Sequence, residues 1–259
     1  MSIAPAIRTA FSSPQAPLAW PVVGGKGIEF GNSIGADDDV RALQRLGTKT
    51  RVPRNQTIFS QGDAADYGYK VVSGVVRLCK HMSDGRRHVA QFSYPGDFFS
   101  VMESEAHCFT AEAVTDVVLM VYPQRQLSAL VDERPSVRRR FVTMLSQRLC
   151  EMENHLTVLG RQTAKERVVS FLLSLAERIG FEDDDLVDAP MNRQDIADYL
   201  GLTNETICRV LSELKRMGLI ETPNLRQFVL IDVEALQALS DGEQGFKSWE
   251  RKETAEAAE

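Results

Sequence analysis

Residues 192–221 read "NRQDIADYLGLTNETICRVLSELKRMGLIE". Asn192 with Asp195 marks the start of a short helix, "RQDIADYL", which Gly201 breaks, and Thr203 then caps a second helix that ends at Gly218. Within the second helix Ile207, Val210, Leu211, Leu214 and Met217 recur at helical spacing and make an apolar stripe for a core. Glu205, Cys208 and Arg209 stand at i, i+3 and i+4 on another side. "LIETPNLRQFVLID" follows as two short strands around Pro223 and Asn224. Helix, tight glycine turn, helix and small hairpin are the plan of a winged helix-turn-helix.

In that plan the apolar stripe packs the second helix on the first. The opposite side and the N-terminal turn, with Thr203, Asn204, Glu205, Thr206, Cys208 and Arg209, are left to enter a major groove. Arginine donates two hydrogen bonds to O6 and N7 of guanine, and glutamate accepts from N4 of cytosine. The alternative is an ordinary solvated helix pair, worth only about 0.2–0.5 kcal/mol. The surrounding pattern favours base reading, because it puts the pair where bases are read.

Charge restricts how such binding works. The chain has a net charge of -6, and residues 161–234 hold nine Lys or Arg against fourteen Asp or Glu. Much of the acid lies in a connector, "FEDDDLVDAP", whereas the second helix carries Arg209, Lys215 and Arg216 against Glu205 and Glu213. Sequence-independent affinity comes from neutralising phosphates, so contact with double-stranded DNA is expected to be local and specific.

Working outward, Thr163 with Glu166 forms a capping-box pattern before "AKERVVSFLLSLAERIG". Helical periodicity begins earlier, at Pro135, where Val142, Leu145, Leu149, Met152, Leu156 and Leu159 follow one another at steps of 3, 4, 3, 4 and 3. Such a seam could pack on the chain's own β domain, but strict alternation is the signature of two helices side by side, and a homodimer is favoured. Between Thr57 and Tyr122 the runs "YKVVSGVVRLCK", "RHVAQFSY" and "FTAEAVTDVVLMVY" are β-rich, and Gly62, Gly74, Gly85 and Gly96 punctuate the region every eleven or twelve residues. Turn signals at that spacing predict a compact antiparallel domain, with "SDGR" at 83–86 as its clearest hairpin turn.

The expected fold is therefore α+β. A poorly ordered tail over 1–38 precedes a β domain over 39–134, a dimerisation helix over 135–160 and a winged helix-turn-helix over 161–240, and a second, acidic tail covers 241–259. No segment approaches the roughly 18 uninterrupted apolar residues of a membrane span, and the proline-interrupted N-terminus lacks the basic start of a secretory signal. Cys79, Cys108, Cys150 and Cys208 are far apart, without CxxC spacing. A cytoplasmic protein is expected. Enzyme motifs such as the P-loop, Rossmann fingerprint, HExxH and GxSxG are absent, and the four histidines are scattered.

Taken in order, "GDAADYGYKVVSGVVRL", "DGRRHVAQFSYPGDFF", the long leucine-rich helix and the 192–221 segment resemble the CRP/FNR family of bacterial transcription regulators, from about residue 39 to 236. The resemblance implies an N-terminal β-roll of the cyclic-nucleotide-binding jelly-roll type, a central dimerisation helix and a winged helix-turn-helix that binds two-fold symmetric operators. In that family E-x-x-[SC]-R on the recognition helix marks the FNR and FixK branches, and it occurs here as Glu205, Cys208 and Arg209. The implied target is a palindrome with TTGA-like half-sites, and cysteine in place of FNR's serine points to FixK-type regulators. By the same correspondence Arg193, Gln194, Thr203 and Thr206 look like phosphate contacts, with Asn204 flanking them. RNA polymerase is the implied protein partner, with "SDGRR" and the 181–190 connector as candidate contacts; a repressor would make the same DNA contacts.

Departures from the family pattern bear on ligands. No cysteine precedes Cys79, so an FNR-type iron-sulfur cluster is not expected. The cyclic-AMP binders carry a Glu and an Arg-Ser/Thr pair after the "PGD" turn, where this chain has "SVMESEAHCFTAEA", with Val101, His107 and Cys108 at roughly those places. The family's carbon-monoxide sensors ligate haem from a Cys and a His just after the same turn, where Ser100 and Met102 stand; His107 with Cys108, or Cys79 with His81, are the remaining candidates. No cofactor or metal is expected. The alternative function is a sensor whose β-roll binds haem, nitric oxide or a small effector and gates DNA binding. Cys208, in the first turns of a helix and beside Arg209, is a candidate redox switch whose oxidation suppresses binding, or else a small side chain touching a thymine methyl.

Overall fold

The computed structural model describes residues 36–101, 105–180 and 186–242, which divide into two compact units, one running to Cys150 and the other starting at Glu151. Of the tails expected over 1–38 and 241–259, residues 1–35 and 243–259 lie outside the described residues.

The first unit opens with helix α1 (Ala36–Leu46), starting inside the stretch expected as a tail, and continues through β1 (Thr48–Val52), β2 (Thr57–Phe59), β3 (Tyr67–Ser73), β4 (Val76–His81), β5 (Arg87–Ser93), β6 (Phe98–Phe99), β7 (Thr110–Ala113) and β8 (Val117–Pro123). These strands form two antiparallel four-stranded sheets, ordered β1-β8-β3-β6 and β2-β7-β4-β5, which is the β-roll expected. Alternation along the strands turns Phe59, Tyr69, Val71, Val76, Leu78, Phe99, Ala113 and Leu119 into one core. Gly74 makes the tight β3–β4 corner: its φ is +81°, and a Cβ there would collide with the Asp116 carbonyl oxygen. In "SDGR", Gly85 adopts φ +84° and Asp84 pairs with Arg86 at 2.7 Å, which holds the Asp84 carboxyl below the usual carboxylate range.

Two helices follow. The short α2 (Gln124–Glu133) was not foreseen, and the long α3 (Pro135–Arg161) is continuous over 27 residues. Leu127, Val131, Val137 and Phe141 bury themselves with Leu43, Phe98 and Tyr122 in a second cluster, which docks α1, α2 and the start of α3. No helix among the described residues is long and apolar enough to cross a membrane.

The second unit contains the C-terminal part of α3, then α4 (Ala164–Ile179), β9 (Leu186–Asp188), α5 (Arg193–Leu200), α6 (Asn204–Arg216), β10 (Ile220–Glu221), β11 (Gln227–Leu230) and α7 (Val233–Ser240). The Thr163–Glu166 and Asn192–Asp195 pairs are both reciprocal capping boxes. Gly201 takes the left-handed conformation, φ 64°, that ends α5 and turns the chain into α6. The wing sheet has the order β10-β11-β9, so part of the acidic connector is a strand: Leu186–Asp188 pairs antiparallel with Gln227–Val229, and Val187 is buried.

One arginine caps three carbonyls at two helix ends, that of α3 and that of α5. Arg167 donates Nε to Gln162 O at 3.0 Å, one terminal nitrogen to Leu159 O at 2.7 Å and the other to Leu200 O at 3.1 Å. Carbonyls at helix C-termini lack partners inside their own helix, and a cation suits that end of the dipole. Arg167→Ala is expected to lower the stability of this unit by about 2–3 kcal/mol, given roughly 1.5–3 kcal/mol for a hydrogen bond to a charged group and partial replacement by water. Urea denaturation of wild type and variant checks it.

Candidate nucleic-acid interface

Helix α6 separates its two faces cleanly. Ile207, Val210, Leu211 and Leu214 are buried, whereas Glu205 and Arg209 are exposed and Cys208 is half-buried. Met217, read as the last member of the apolar stripe, is instead exposed at the C-cap: the helix proper ends at Arg216, and Gly218 turns the chain away with φ +74°.

The N-terminal turn is built by Thr203. Its hydroxyl accepts from Thr206 N at 3.1 Å and lies 2.9 Å from the Thr206 hydroxyl. The cap is a hydroxyl rather than a carboxylate, so the remaining open backbone N–H groups can face a phosphate, with the Glu205 carboxylate in the same first turn opposing a second anion. On α5, Gln194 is exposed and donates to Asp198 at 2.7 Å.

Glu205 and Arg209 form no ion pair with each other among the described residues. Arg209 is felt instead by Glu213, whose carboxyl is held below its usual range, chiefly by hydrogen bonding to Lys165. The Lys165–Glu213 pair ties α6 to α4. Arg193 folds back toward α6, where one terminal nitrogen donates to Cys208 Sγ at 3.3 Å. Cys208 Sγ lies 3.9 Å from Asn204 Oδ1, one turn earlier. The Arg193–Cys208 and Lys165–Glu213 contacts join residues 15 and 48 positions apart, so no local pattern announces them.

The candidate seam of α3 faces outward. Val142, Leu149, Met152 and Leu156 are 56%, 58%, 58% and 66% exposed, and Leu145 is similar. Within the first unit, Val142, Leu145 and Leu149 do not pack on the β domain. Leu159 differs: it is half-buried, its Cδ2 3.9 Å from where a Cβ on Gly201 would lie.

The haem candidates do not converge. His107 is buried, stacks on Phe59 with ring centroids 3.6 Å apart and pairs through Nδ1 with the Ser100 hydroxyl, while Cys108 beside it is exposed. Cys79 is buried against Glu112, 3.6 Å away, and His81 is exposed. No group of three His, Cys, Asp or Glu among the described residues could hold a metal ion; Met102 lies outside them. Burial, aided by the Glu112 charge, pushes the Cys79 thiol up to about 12. At pH 8 its thiolate fraction is then on the order of 10⁻⁴. Cys79 is expected to stay unmodified by Ellman's reagent in the native protein and to react on denaturation, as peptide mapping of the labelled protein would show.

Residues 166–239 match the Crp-like helix-turn-helix domain family and residues 49–134 the cyclic nucleotide-binding domain family. The nitrogen fixation regulation protein FixK of Azorhizobium caulinodans is 39% identical over 243 residues, which cover 92% of this chain and 95% of that protein. FixK of Rhizobium meliloti is 40% identical over 182 residues, or 70% of this chain and 82% of the relative. The solved structure of FixK2 from Bradyrhizobium japonicum is similar with a TM-score of 0.71 at 36% identity, covering 75% of this chain and 97% of that one.

Proposed function

The chain belongs to the CRP/FNR family of bacterial transcription regulators, on its FixK-like branch, and from that membership we propose that it is an activator that binds TTGA-type palindromic operators as a homodimer. It is a DNA-binding regulator, not an enzyme.

The observation that carries the proposal is the outward face of α6, where Glu205, Cys208 and Arg209 lie together opposite a fully buried stripe. A TTGA half-site has one G·C pair. Arg209 reads O6 and N7 of its guanine, Glu205 accepts from N4 of the paired cytosine, and Cys208 packs on a thymine methyl. Gln194, Thr203, Asn204 and Thr206 face the phosphates around the helix N-terminus and set register rather than sequence preference. Palindromy follows from a two-fold dimer, which the exposed stripe of α3 supports.

Polymerase contact is assigned to the "SDGRR" hairpin, whose residues 83–86 are exposed at the end of β4 and β5. The described part of the alternative connector is taken up by the wing sheet. Peroxide oxidation of the Cys208 thiolate, in which sulfur takes one peroxide oxygen to become a sulfenic acid and hydroxide leaves, puts a polar oxygen where a methyl must pack, and operator binding falls.

The test is fluorescence anisotropy of a labelled TTGA palindrome titrated with reduced protein, without added effector, against a scrambled duplex at the same salt. Specific binding that peroxide abolishes in wild type but not in Cys208→Ser is expected. Absence of specific binding by a folded dimer would overturn this reading in favour of a β-roll that requires a ligand, and oxidative inhibition persisting in Cys208→Ser would sink the redox part.

A further inference from the structure

We infer that Arg193 is a specificity-determining positioning residue, which acts on base reading through Cys208, and not a phosphate anchor. The inference rests on the proposed reading of bases by α6.

Arg193 opens α5, directly after the Asn192 cap, where a cationic side chain could extend toward the DNA backbone. It does not extend. Its side chain is half-buried while neighbouring Gln194 is exposed, and its Nε is buried with no hydrogen-bond partner. A guanidinium gives up hydration at a cost, so an inward placement needs a reason in the contacts it makes. The contact found is the 3.3 Å bond from a terminal nitrogen to Cys208 Sγ.

That bond has a geometric consequence. Sulfur receiving a charge-assisted donor on one side is held in one χ1 well, with its S–H turned to the other side, where Asn204 Oδ1 lies 3.9 Å away. Arg193, Cys208 and Asn204 thus form a polar chain from the first helix of the motif across the second. It fixes the Cys208 side chain between Glu205 and Arg209, and so fixes which base edge fits against it. A loose cysteine, with several rotamers open, would accept a thymine methyl or a bare cytosine edge more nearly equally. Lysine is a poor substitute, because its ammonium is a compact, strongly hydrated charge on a flexible stem, whereas the guanidinium is more weakly hydrated and holds its donors in a rigid plane.

A phosphate anchor and a positioning residue leave different signatures. A lost phosphate contact weakens binding to all sequences alike and lowers the slope of log K against log salt by about 0.9 for each contact. A lost positioning contact leaves the slope and changes the ranking of sequences.

The experiment measures anisotropy for wild type, Arg193→Lys, Arg193→Gln, Cys208→Ala and Arg193→Lys/Cys208→Ala on the TTGA palindrome. A second set of duplexes carries each base substitution in both half-sites, and all are read at three salt concentrations. Expected is a roughly tenfold loss of discrimination at a thymine position in Arg193→Lys and Arg193→Gln, on the scale of one mismatched pair, with the Arg193→Lys salt slope unchanged. The double variant should discriminate no worse than Cys208→Ala alone. Overturning results are wild-type discrimination in Arg193→Lys together with a uniform loss and reduced salt slope in Arg193→Gln, or additive losses in the double variant. A measurement without DNA separates the two levels: the rate of Cys208 alkylation by iodoacetamide should change at least twofold in Arg193→Lys. An unchanged rate overturns the contact itself, whereas a changed rate in a protein whose wild type shows no operator preference overturns base reading by α6.

Discussion

Arg209→Ala is expected to weaken binding to a TTGA palindrome by roughly 30-fold to 10⁴-fold, since each of two half-sites loses about 1–3 kcal/mol of guanine recognition. The fold should not notice. Arg209 is exposed, and the direct partner of nearby Glu213 is Lys165, so truncation leaves no buried charge uncompensated. The melting temperature should therefore stay within a few degrees of wild type, as for other exposed substitutions of about 0.5 kcal/mol or less. Selectivity gives the sharper readout. Wild type should prefer TTGA over TTAA half-sites, and the variant should bind the two almost equally, because the side chain that distinguishes guanine from adenine is gone. Anisotropy titrations of both proteins on both duplexes check this. Undiminished preference for guanine in the variant would show that α6 does not read the operator as proposed.

What was legible in the sequence follows a physical rule: features set within a few residues of each other could be read, and features set by distant partners could not. The Asn192–Asp195 and Thr163–Glu166 boxes are side-chain chemistry over three positions, and both close as expected. Glycines spaced for corners do adopt positive φ at 62, 74, 85 and 96. The short helix α2 has no side-chain cap, and α7 has only the Asp232 cap, which accepts from Ala235 N. Their helicity is secured by docking of Leu127 and Val131 in one case, and of Val233, Leu236 and Leu239 in the other. Strand β9 is three residues long and flanked by acids, too short for a period to show, and it exists because β11 offers an edge. The candidate site divides the same way. The two faces of α6 are a local periodicity, whereas the turn of Arg193 toward Cys208 and the capping of three carbonyls by Arg167 depend on how helices cross.

A protein carrying Leu149→Glu and Met152→Glu is expected to sediment as a monomer and to bind the palindrome about 10²- to 10⁴-fold more weakly. The first effect follows from the seam. Both side chains are 58% exposed in the isolated chain, so charging them costs the fold little, but in a two-fold interface each substitution acts twice and sets like charges together in an apolar strip. Burying a Leu or Met contributes about 1.5–3 kcal/mol, and losing four such side chains exceeds what an ordinary micromolar dimer can tolerate. The second effect follows from the first. A dimer holds its second recognition helix at millimolar effective concentration over the second half-site, and a monomer must bind each half-site alone. Gln147→Glu, on the opposite side of the same helix, adds charge off the seam and should change neither mass nor affinity. Equilibrium sedimentation and anisotropy on the three proteins separate the possibilities. Monomer formation with full operator affinity would disprove the need for two subunits, and a stable dimer in the double variant would place the interface elsewhere than this stripe of α3.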